Sequence, residues 1–179
     1  MKPDKTWSLF LDRDGVINRE LNQNYVKTWS EFSFEEGALD ALKKLNLIFG
    51  HIFIVTNQRG VGAGIMSLEE LDAIHQIMLD EIHDHGGRID EIYFAADEDR
   101  TSTNRKPHPT MGIKAQSDYP AVDFSKAVMV GNSLSDMEFG RNLEMHTVYI
   151  DEKKKFNGVK TEVMDAIFDS LKSFSDSLS

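Results

Sequence analysis

The stretch SLFLDRDGVIN, residues 8–18, decides which fold and which chemistry the sequence predicts. Its apolar run ends at Leu11, and two carboxylates, Asp12 and Asp14, follow one residue apart before Gly15. Residues i and i+2 of an extended chain point to the same side, so both carboxylates can converge on one point. Like charges at this separation repel each other, and we therefore predict that a cation lies between them. Mg²⁺ is the expected ion, because it prefers hard oxygen ligands and keeps several waters.

Four further apolar runs resemble the one that ends at Leu11, and amphipathic segments separate them. Three of the five runs are almost uniformly apolar, which is typical of strands that are covered on both faces of a parallel sheet. The five predicted strands lie in residues 7–11, 51–55, 89–95, 127–130 and 146–150.

The segments between the runs have the periodicity of helices. The clearest one opens with a capping box, Ser67 and Glu70, and ends at two glycines. The predicted helices lie in residues 35–48, 67–87, 108–119 and 133–142, and a last helix contains Val163, Ile167, Leu171 and Phe174. This alternation predicts an α/β fold: a doubly wound, mainly parallel, Rossmann-like sheet flanked by helices, in a single domain over residues 1–179.

Composition restricts the partners of the protein. The chain has 179 residues, of which 40% are hydrophobic, and a formal net charge of −10. Such a charge disfavours binding to nucleic acid or to an anionic membrane surface, and no apolar run approaches the ~18 residues of a membrane span. There is no cysteine, which excludes disulfides and thiolate metal sites. We expect a cytoplasmic monomer that acts on a small molecule.

Polar and glycine residues follow each strand that should line the ligand-binding edge of the sheet. Thr56 ends the second strand before a glycine-rich loop, whose backbone amides can approach an oxyanion closely. Lys106 follows the third strand and can balance the charge of a phosphoryl group. Asn132 and Asp136 follow the fourth and supply oxygen ligands. Each feature alone also fits a plain structural role: a turn, a surface lysine, or a helix cap at Asn132 or Ser133. Together they indicate Mg²⁺-dependent phosphoryl transfer through an aspartyl-phosphate.

Four motifs carry a resemblance to a known family. They are FLDRDGVIN (10–18), VTNQRGVGAG (55–64), RKPHPTM (105–111) and VGNSLSDMEFG (130–140). With these motifs the chain resembles the haloacid dehalogenase (HAD) superfamily, type HAD-IIIA, over residues 7–150. The most similar branch is that of the D-glycero-D-manno-heptose-1,7-bisphosphate phosphatases and the histidinol-phosphate phosphatases. The resemblance implies a HAD-like fold without a large cap domain.

The resemblance also implies roles for the motif residues. Asp12 would be the nucleophile and a Mg²⁺ ligand. Asp14 would be the general acid–base and would offer its backbone carbonyl to the metal. We expect a raised pKa for Asp14, because another carboxylate lies beside it. The other implied site residues are Thr56, Asn57, Gln58 and Arg59 for the phosphoryl group, Lys106 for charge neutralisation, Arg105 for a substrate phosphate, and Asn132 and Asp136 for the metal.

The sequence departs from the branch at several points. Asn132 stands where an aspartate is usual, so we expect weaker metal binding. The relatives carry a zinc loop of three cysteines and a histidine, for which this chain has Ala95, Asp97, Ser102 and Asn104, so zinc is not expected. Thr110 replaces a usual glycine. With no cap, residues 19–34 are the predicted flap, with Tyr25 and Trp29 as candidate substrate contacts or simply as core or rim aromatics.

Several functions remain open from the sequence. The favoured one is a phosphatase for a phosphorylated metabolite, such as a sugar phosphate like heptose bisphosphate. Histidinol phosphate is an alternative substrate, and a weakened HAD domain that binds phosphorylated ligands without turnover is another alternative. A response-regulator receiver has a related fold, but its phosphorylated aspartate follows the third strand, and the D-x-D-G and R-K-P-H-P contexts fit it poorly.

Overall fold

The computed structural model describes residues 2–21, 25–156 and 160–178. It contains a six-stranded, fully parallel sheet in the order β3-β2-β1-β4-β5-β6. The strands are β1 Ser8–Leu11, β2 His51–Asn57, β3 Glu91–Ala95, β4 Ala127–Gly131, β5 His146–Ile150 and β6 Ala166–Phe168. The first five were predicted from their apolar runs, and β6 was not.

Helices connect the strands and flank the sheet. They are α1 Ala38–Ile48, the single turn α2 Arg59–Gly62, α3 Leu68–Asp84, α4 Thr110–Asp118, α5 Leu134–Asn142 and α6 Leu171–Ser177. The predicted capping box at α3 is confirmed, because Ser67 and Glu70 each bond to the other's backbone N–H. The predicted α/β architecture is therefore confirmed, and no large cap interrupts it in the described residues.

Alternation along β1 shows how the sheet is covered. Leu9 and Leu11 pack into one apolar layer, which contains residues of α1, α3 and α6. Phe10 points to the other layer, which contains residues of α4 and α5. All four residues of β1 are buried, as expected for a central strand of a parallel sheet.

The predicted last helix is partly wrong. Leu171 and Phe174 lie in α6, but Ile167 lies in the edge strand β6, and Val163 precedes that strand. The strand pairs with β5, from Val148 with Ala166 to Ile150 with Phe168. The spacing imitated one helix face, but Val163 and Ile167 pack against the separate apolar cluster around Tyr149. Leu171 and Phe174 belong to the larger layer that contains Leu9.

The strand order reverses between β1 and β4, the two central neighbours. In open parallel sheets the crevice beyond the carboxyl ends of the strands at such a reversal is the usual ligand site. β1 delivers Asp12 to this crevice, and β4 delivers Asn132. The topology therefore brings together chain segments that are far apart in sequence.

In the part of the chain that the structure describes, none of the helices has the length and apolar character that crossing a membrane requires.

Candidate active site

A cavity of about 250 Å³ lies beyond the carboxyl ends of β1, β2 and β4. Eight of the ten predicted site residues line it. These eight are Asp12, Asp14, Thr56, Asn57, Gln58, Lys106, Asn132 and Asp136. The prediction that these strand ends converge on one place is thus met by the geometry, and the two remaining residues, Arg59 and Arg105, do not line the cavity.

Lys106 is the cation at the centre of the cavity floor. Its Nζ lies 2.9 Å from Oδ1 of Asp12 and 2.6 Å from Oδ1 of Asp136, and it donates to the carbonyl of Val55 at 2.7 Å. The Lys106 side chain is only 2% exposed. Burial alone lowers the pKa of Lys106, but the two carboxylates outweigh burial and hold the pKa above its usual value. Lys106 therefore stays charged.

The environment of Asp12 disfavours the ionised form of its carboxyl group. Burial first, and then the charge of Asp136, raise the pKa of Asp12 to about 7, although Lys106 opposes the shift. Its Oδ1 accepts from the backbone N–H of Arg13 and contacts Lys106. Its Oδ2 accepts no hydrogen bond from the described residues. Asp12 consequently offers one oxygen to whatever enters the cavity.

Asp14 has the opposite environment. Nη2 of Arg13 donates to both of its oxygens, at 2.9 and 3.1 Å, Asn18 Nδ2 donates at 2.9 Å, and Gln58 Nε2 donates at 2.8 Å. Burial alone would raise the pKa of Asp14, but the Arg13 charge and these hydrogen bonds hold it below its usual value. The expectation of a raised pKa is therefore wrong for this structure, because the donors outweigh the neighbouring carboxylate.

The last residue of β2, Asn57, and the residue after it, Gln58, connect other parts of the site. The side chain of Asn57 donates to the carbonyl of Lys106 and accepts from its N–H, so it clamps that residue by both backbone groups. Gln58 Nε2 donates to Asp14 and to Oγ1 of Thr56, at 2.8 and 2.9 Å. The side chains of Asn57 and Gln58 thus hold Lys106 and Asp14 in place, which the sequence did not reveal.

Arg59 and Arg105 lie together outside the cavity. Arg59 lies 3.5 Å from Glu98, and Arg105 donates to the carbonyl of Asp97 at 2.8 Å. Burial first, and then the charge of Arg59, lower the pKa of Arg105. The two guanidinium groups are near enough to interact, and both remain partly exposed on the side of the loop after β3.

The loop after β3 is held by its own polar residues. Asn104 Nδ2 lies 3.3 and 3.4 Å from the two carboxylate oxygens of Asp97, and Thr110 Oγ1 donates to the carbonyl of Thr103 at 2.6 Å. Asp97 and Asn104 stand near positions where zinc ligands are expected in the branch described above. Here they contact each other directly.

Asn132 lies against Gly15, the residue that follows the carboxylate pair. A Cβ on Gly15 would lie only 1.9 Å from Asn132 Nδ2, so only glycine permits this approach, and its φ of +79° also favours glycine.

The carboxylate of Asp136 already has partners on both oxygens: Oδ1 contacts Lys106, and Oδ2 accepts from the N–H and hydroxyl of Ser133. Ser133 is the N-cap of α5, so Asp136 completes a capping box there. A metal at Asp136 would therefore share this carboxylate with Lys106 and Ser133.

The charges at the site fit a divalent cation. Among the described residues, the three carboxylates of Asp12, Asp14 and Asp136 pair with two cationic side chains, Lys106 and Arg13. No group of three or more His, Cys, Asp or Glu side chains suited to a metal occurs among the described residues. The donors at hand are the unpartnered oxygen of Asp12, the amide oxygen of Asn132 and the backbone carbonyl of Asp14. Mg²⁺, which keeps several waters, suits such a sparse set.

The predicted flap is only partly described, because residues 22–24 lie outside the described ranges. Tyr25 lines the cavity and packs against Gly60, where a Cβ would lie 3.1 Å from its ring. Trp29 stacks on Phe32 at 4.7 Å and packs on the core, and it is not among the residues that line the cavity. Tyr25 therefore remains a candidate substrate contact, and Trp29 has the structural role that was its alternative.

Sequence reasoning missed Arg13, Asn18 and His75. Arg13 is 1% exposed, and its Nη1 lies 3.1 Å from Nε2 of His75 on α3. One signal could have revealed His75, because it lies four residues after Leu71 and three before Met78, on the apolar face of its helix. No sequence signal indicated that this histidine reaches Arg13, since the contact depends on how α3 packs on the sheet.

Comparison with known proteins places this site in a family. A family model described as HAD-hydrolase-like matches residues 103–173. The chain is 36% identical to a D-glycero-alpha-D-manno-heptose-1,7-bisphosphate 7-phosphatase of Mycobacterium tuberculosis, over 94% of this chain and 89% of that protein. It is 38% identical to a D-glycero-beta-D-manno-heptose-1,7-bisphosphate 7-phosphatase of Rhodopseudomonas palustris, over 72% of this chain and 74% of that protein.

A solved structure agrees with these relatives. The D,D-heptose 1,7-bisphosphate phosphatase from B. bronchiseptica, complexed with magnesium and phosphate, superposes with a TM-score of 0.85 at 26% identity, over 96% of this chain and 97% of that one. The sequence match to the first of these relatives extends over most of both proteins, and the folds agree. The chain therefore belongs to the haloacid dehalogenase superfamily and is one of its phosphatases, a phosphoric monoester hydrolase.

Proposed function

We propose that the protein is a Mg²⁺-dependent phosphomonoester hydrolase that acts through an aspartyl-phosphate on a small phosphorylated sugar, such as a heptose 1,7-bisphosphate. The observation that carries the proposal is the state of Asp12. One of its oxygens is fixed by Lys106 and the Arg13 N–H, and the other has no hydrogen-bond partner among the described residues at a cavity of about 250 Å³. This is the geometry of a held nucleophile.

The metal would be held by the carboxylate of Asp12, the carbonyl of Asp14 and the amide oxygen of Asn132, with waters completing its shell. When bound, Mg²⁺ would neutralise part of the negative charge of Asp12 and of the phosphoryl group. Asn132 contributes no charge, so we expect weaker metal affinity than an aspartate at this position would give.

The first chemical step joins Asp12 to the phosphorus. A carboxylate oxygen of Asp12 attacks, the bond from phosphorus to the sugar oxygen breaks, and a proton from Asp14 goes to that oxygen as it leaves. Lys106 balances the charge beside Asp12, and Thr56 with the backbone amide of Asn57 holds the phosphoryl oxygens. The products of this step are the free sugar alcohol and an aspartyl-phosphate.

The second step uses Asp14 as a base. Asp14 takes a proton from a water molecule, the water oxygen attacks phosphorus, and the bond to Asp12 breaks to release phosphate. Asp14 is held ionised by Arg13, Asn18 and Gln58, which suits this second step directly. For the first step it must carry a proton, and a negatively charged phosphate placed beside it favours the protonated form.

The substrate class is supported by the relatives and by two arginines. The named relatives act on heptose bisphosphates in both anomeric series. Arg59 directly follows Gln58, and Arg105 directly precedes Lys106. The two arginines lie together beside the cavity. We propose that they attract the phosphate that is not cleaved. The anomer is left to experiment, because the relatives differ in it.

The decisive experiment is phosphate release by the purified protein with and without Mg²⁺. The panel contains both anomers of heptose 1,7-bisphosphate, other sugar phosphates, histidinol phosphate and p-nitrophenyl phosphate. We expect Mg²⁺-dependent turnover that is highest on a heptose bisphosphate and is lost in Asp12→Asn. Asp72→Asn is the matched control, because Asp72 is an exposed carboxylate on α3, away from the cavity, and its turnover should equal that of the wild type.

Other outcomes assign other functions. The highest turnover on histidinol phosphate would overturn the sugar phosphate and leave the hydrolase. No turnover on any compound at high Mg²⁺ would overturn the hydrolase in favour of a domain that only binds phosphorylated ligands. In that case, turnover restored by Asn132→Asp would show that the lack of a carboxylate at position 132 causes the inactivity.

A further inference from the structure

His75 is a buried polar residue on the apolar face of α3. It is 6% exposed, lies between Leu71 and Met78 on that face, and meets the ring of Phe94 edge-on at 6.0 Å. Its only hydrogen bond among the described residues joins its Nε2 to Nη1 of Arg13, at 3.1 Å. A histidine at a position that would suit an aliphatic side chain requires a reason, and this bond supplies one.

The chemistry of the pair fixes the protonation of His75. A guanidinium can only donate, so Nε2 of His75 must accept, and the ring proton must be on Nδ1. Burial, and then the charge of Arg13, lower the pKa of His75 to about 3, so that the ring stays neutral at ordinary pH. His75 is therefore a permanent acceptor for Arg13.

Arg13 itself depends on this acceptor. Its Nη2 is occupied by the two oxygens of Asp14, whereas its Nε finds no partner among the described residues. Since Arg13 is 1% exposed, water does not replace a missing partner. His75 is then the acceptor that holds the half of the guanidinium that faces away from Asp14.

We propose that His75 is a positioning residue for the acid–base carboxylate: by holding the Arg13 guanidinium, it keeps Asp14 in the orientation that serves proton transfer. The inference rests on the proposed function, because it takes the acid–base role of Asp14 from there. Without the acceptor, the buried guanidinium has to turn toward another partner, and Asp14, which it holds by both oxygens, has to follow. A misplacement of about 1 Å can cost about a hundredfold in rate.

The test compares two replacements of His75. His75→Leu fills similar space without an acceptor, and His75→Gln offers an amide oxygen to Arg13. We expect His75→Leu to lower kcat by about 10-fold to 100-fold with KM little changed, and His75→Gln to restore kcat to within about threefold of the wild type. Phosphate release from p-nitrophenyl phosphate and from the best substrate of the panel supplies both constants.

Ile74→Ala is the matched control for loss of packing. Ile74 is 2% exposed, belongs to the same helix, and lies in the apolar layer. We expect this variant to lose stability in urea while the folded enzyme retains its kcat. If His75→Leu keeps the wild-type kcat, or if His75→Gln loses as much as His75→Leu, the proposal is overturned. Should His75→Leu fail to fold, the smaller His75→Ala takes its place in both comparisons.

A second readout does not require turnover. The NMR signals of the Arg13 guanidinium should show hindered rotation in the wild type and in His75→Gln, and faster rotation in His75→Leu. Unchanged rotation in His75→Leu would overturn the inference even if no substrate were turned over. Conversely, an inactive wild type with the expected change in rotation would overturn the proposed function and leave the positioning contact.

Discussion

Lys106 is the residue on which the charge balance of the cavity depends. Two carboxylates, Asp12 and Asp136, lie within 2.9 Å of its Nζ, and the Lys106 side chain itself is only 2% exposed. A buried ion cluster contributes little net stability while it is complete, but removal of one partner leaves an uncompensated charge. The same side chain thus serves the proposed catalysis and the fold around it.

Lys106→Met should therefore destabilise the protein as well as inactivate it. We expect the free energy of unfolding to fall by about 3 kcal/mol or more at pH 7.5, because Asp12 and Asp136 then repel each other in a buried place. The loss should be smaller at pH 5.5, where the carboxylates can take up a proton. Urea unfolding at the two pH values measures both effects.

Lys114→Met is the control for Lys106→Met. Lys114 also pairs with an aspartate, Asp118, at 2.7 Å, but its side chain is 63% exposed. We expect no measurable change in stability from this variant. An equal loss in both variants would contradict the importance assigned to the buried cluster.

We expect Asn132 to determine the affinity of the proposed site for Mg²⁺. Asn132→Asp adds a fourth carboxylate to those of Asp12, Asp14 and Asp136 in the cavity, and affinity for a divalent cation rises with the charge of the ligands. We expect the Kd for Mg²⁺, measured by calorimetry on the purified protein, to fall by at least about tenfold. An unchanged Kd would place the cation away from Asn132.

The helices and strands differ in how strongly the local sequence predicts them. Strand β1 and helix α3 have strong local signals, an unbroken apolar run and a capping box at Ser67. The edge strand β6 has only three residues, all half-buried, so its pattern is too short to read. Likewise, the order of the strands indicated that Asp12 and Lys106 lie at one cavity, but not the hydrogen bonds that lower the pKa of Asp14. Those depend on distances across the fold, which no local pattern encodes.

Helix α3 should make the stability of the protein depend on pH through His75. Because the pKa of His75 falls from 6.5 to about 3 on folding, only the unfolded chain binds a proton between these values. Above pH 6.5, His75 stays neutral in both states and does not lower the free energy of unfolding. Below pH 6.5, the free energy of unfolding decreases as the pH falls, by up to about 1.4 kcal/mol per pH unit. Asp12, whose pKa is raised, acts in the opposite direction, so a comparison between variants is required.

The comparison is between the wild type and His75→Gln. From pH 6.5 to pH 5, the wild type should lose about 1.5 kcal/mol more than the variant, as measured by urea unfolding at each pH. Parallel profiles for the two proteins would mean that His75 titrates alike in the folded and unfolded states.

The whole molecule carries a net charge of −10, and yet its proposed substrate is an anion. A bound divalent cation, with Lys106 and the two arginines beside the cavity, would provide the local positive potential that the overall charge opposes. The cation would also link the ends of β1 and β4, the two strands at which the order of the sheet reverses.

Metal binding should accordingly stabilise the complete fold. At a Mg²⁺ concentration of about 100 times its Kd, the gain is about 2.7 kcal/mol, which corresponds to a rise in Tm of about 5–10 °C for a chain of this size. Thermal unfolding with Mg²⁺ or with a chelator measures the rise. Asp12→Asn is the control, and an equal rise in that variant would indicate a cation bound elsewhere.

The pairing of β1 with both β2 and β4 has a consequence for how the protein acquires activity during folding. The contact with β2 joins segments about 40 residues apart, whereas the contact with β4 joins segments about 120 residues apart and closes a much longer loop. No fragment that ends before β4 contains the whole cavity. In a refolding experiment, helix content would recover before turnover does, and the return of turnover would mark the moment at which the two halves of the sheet join.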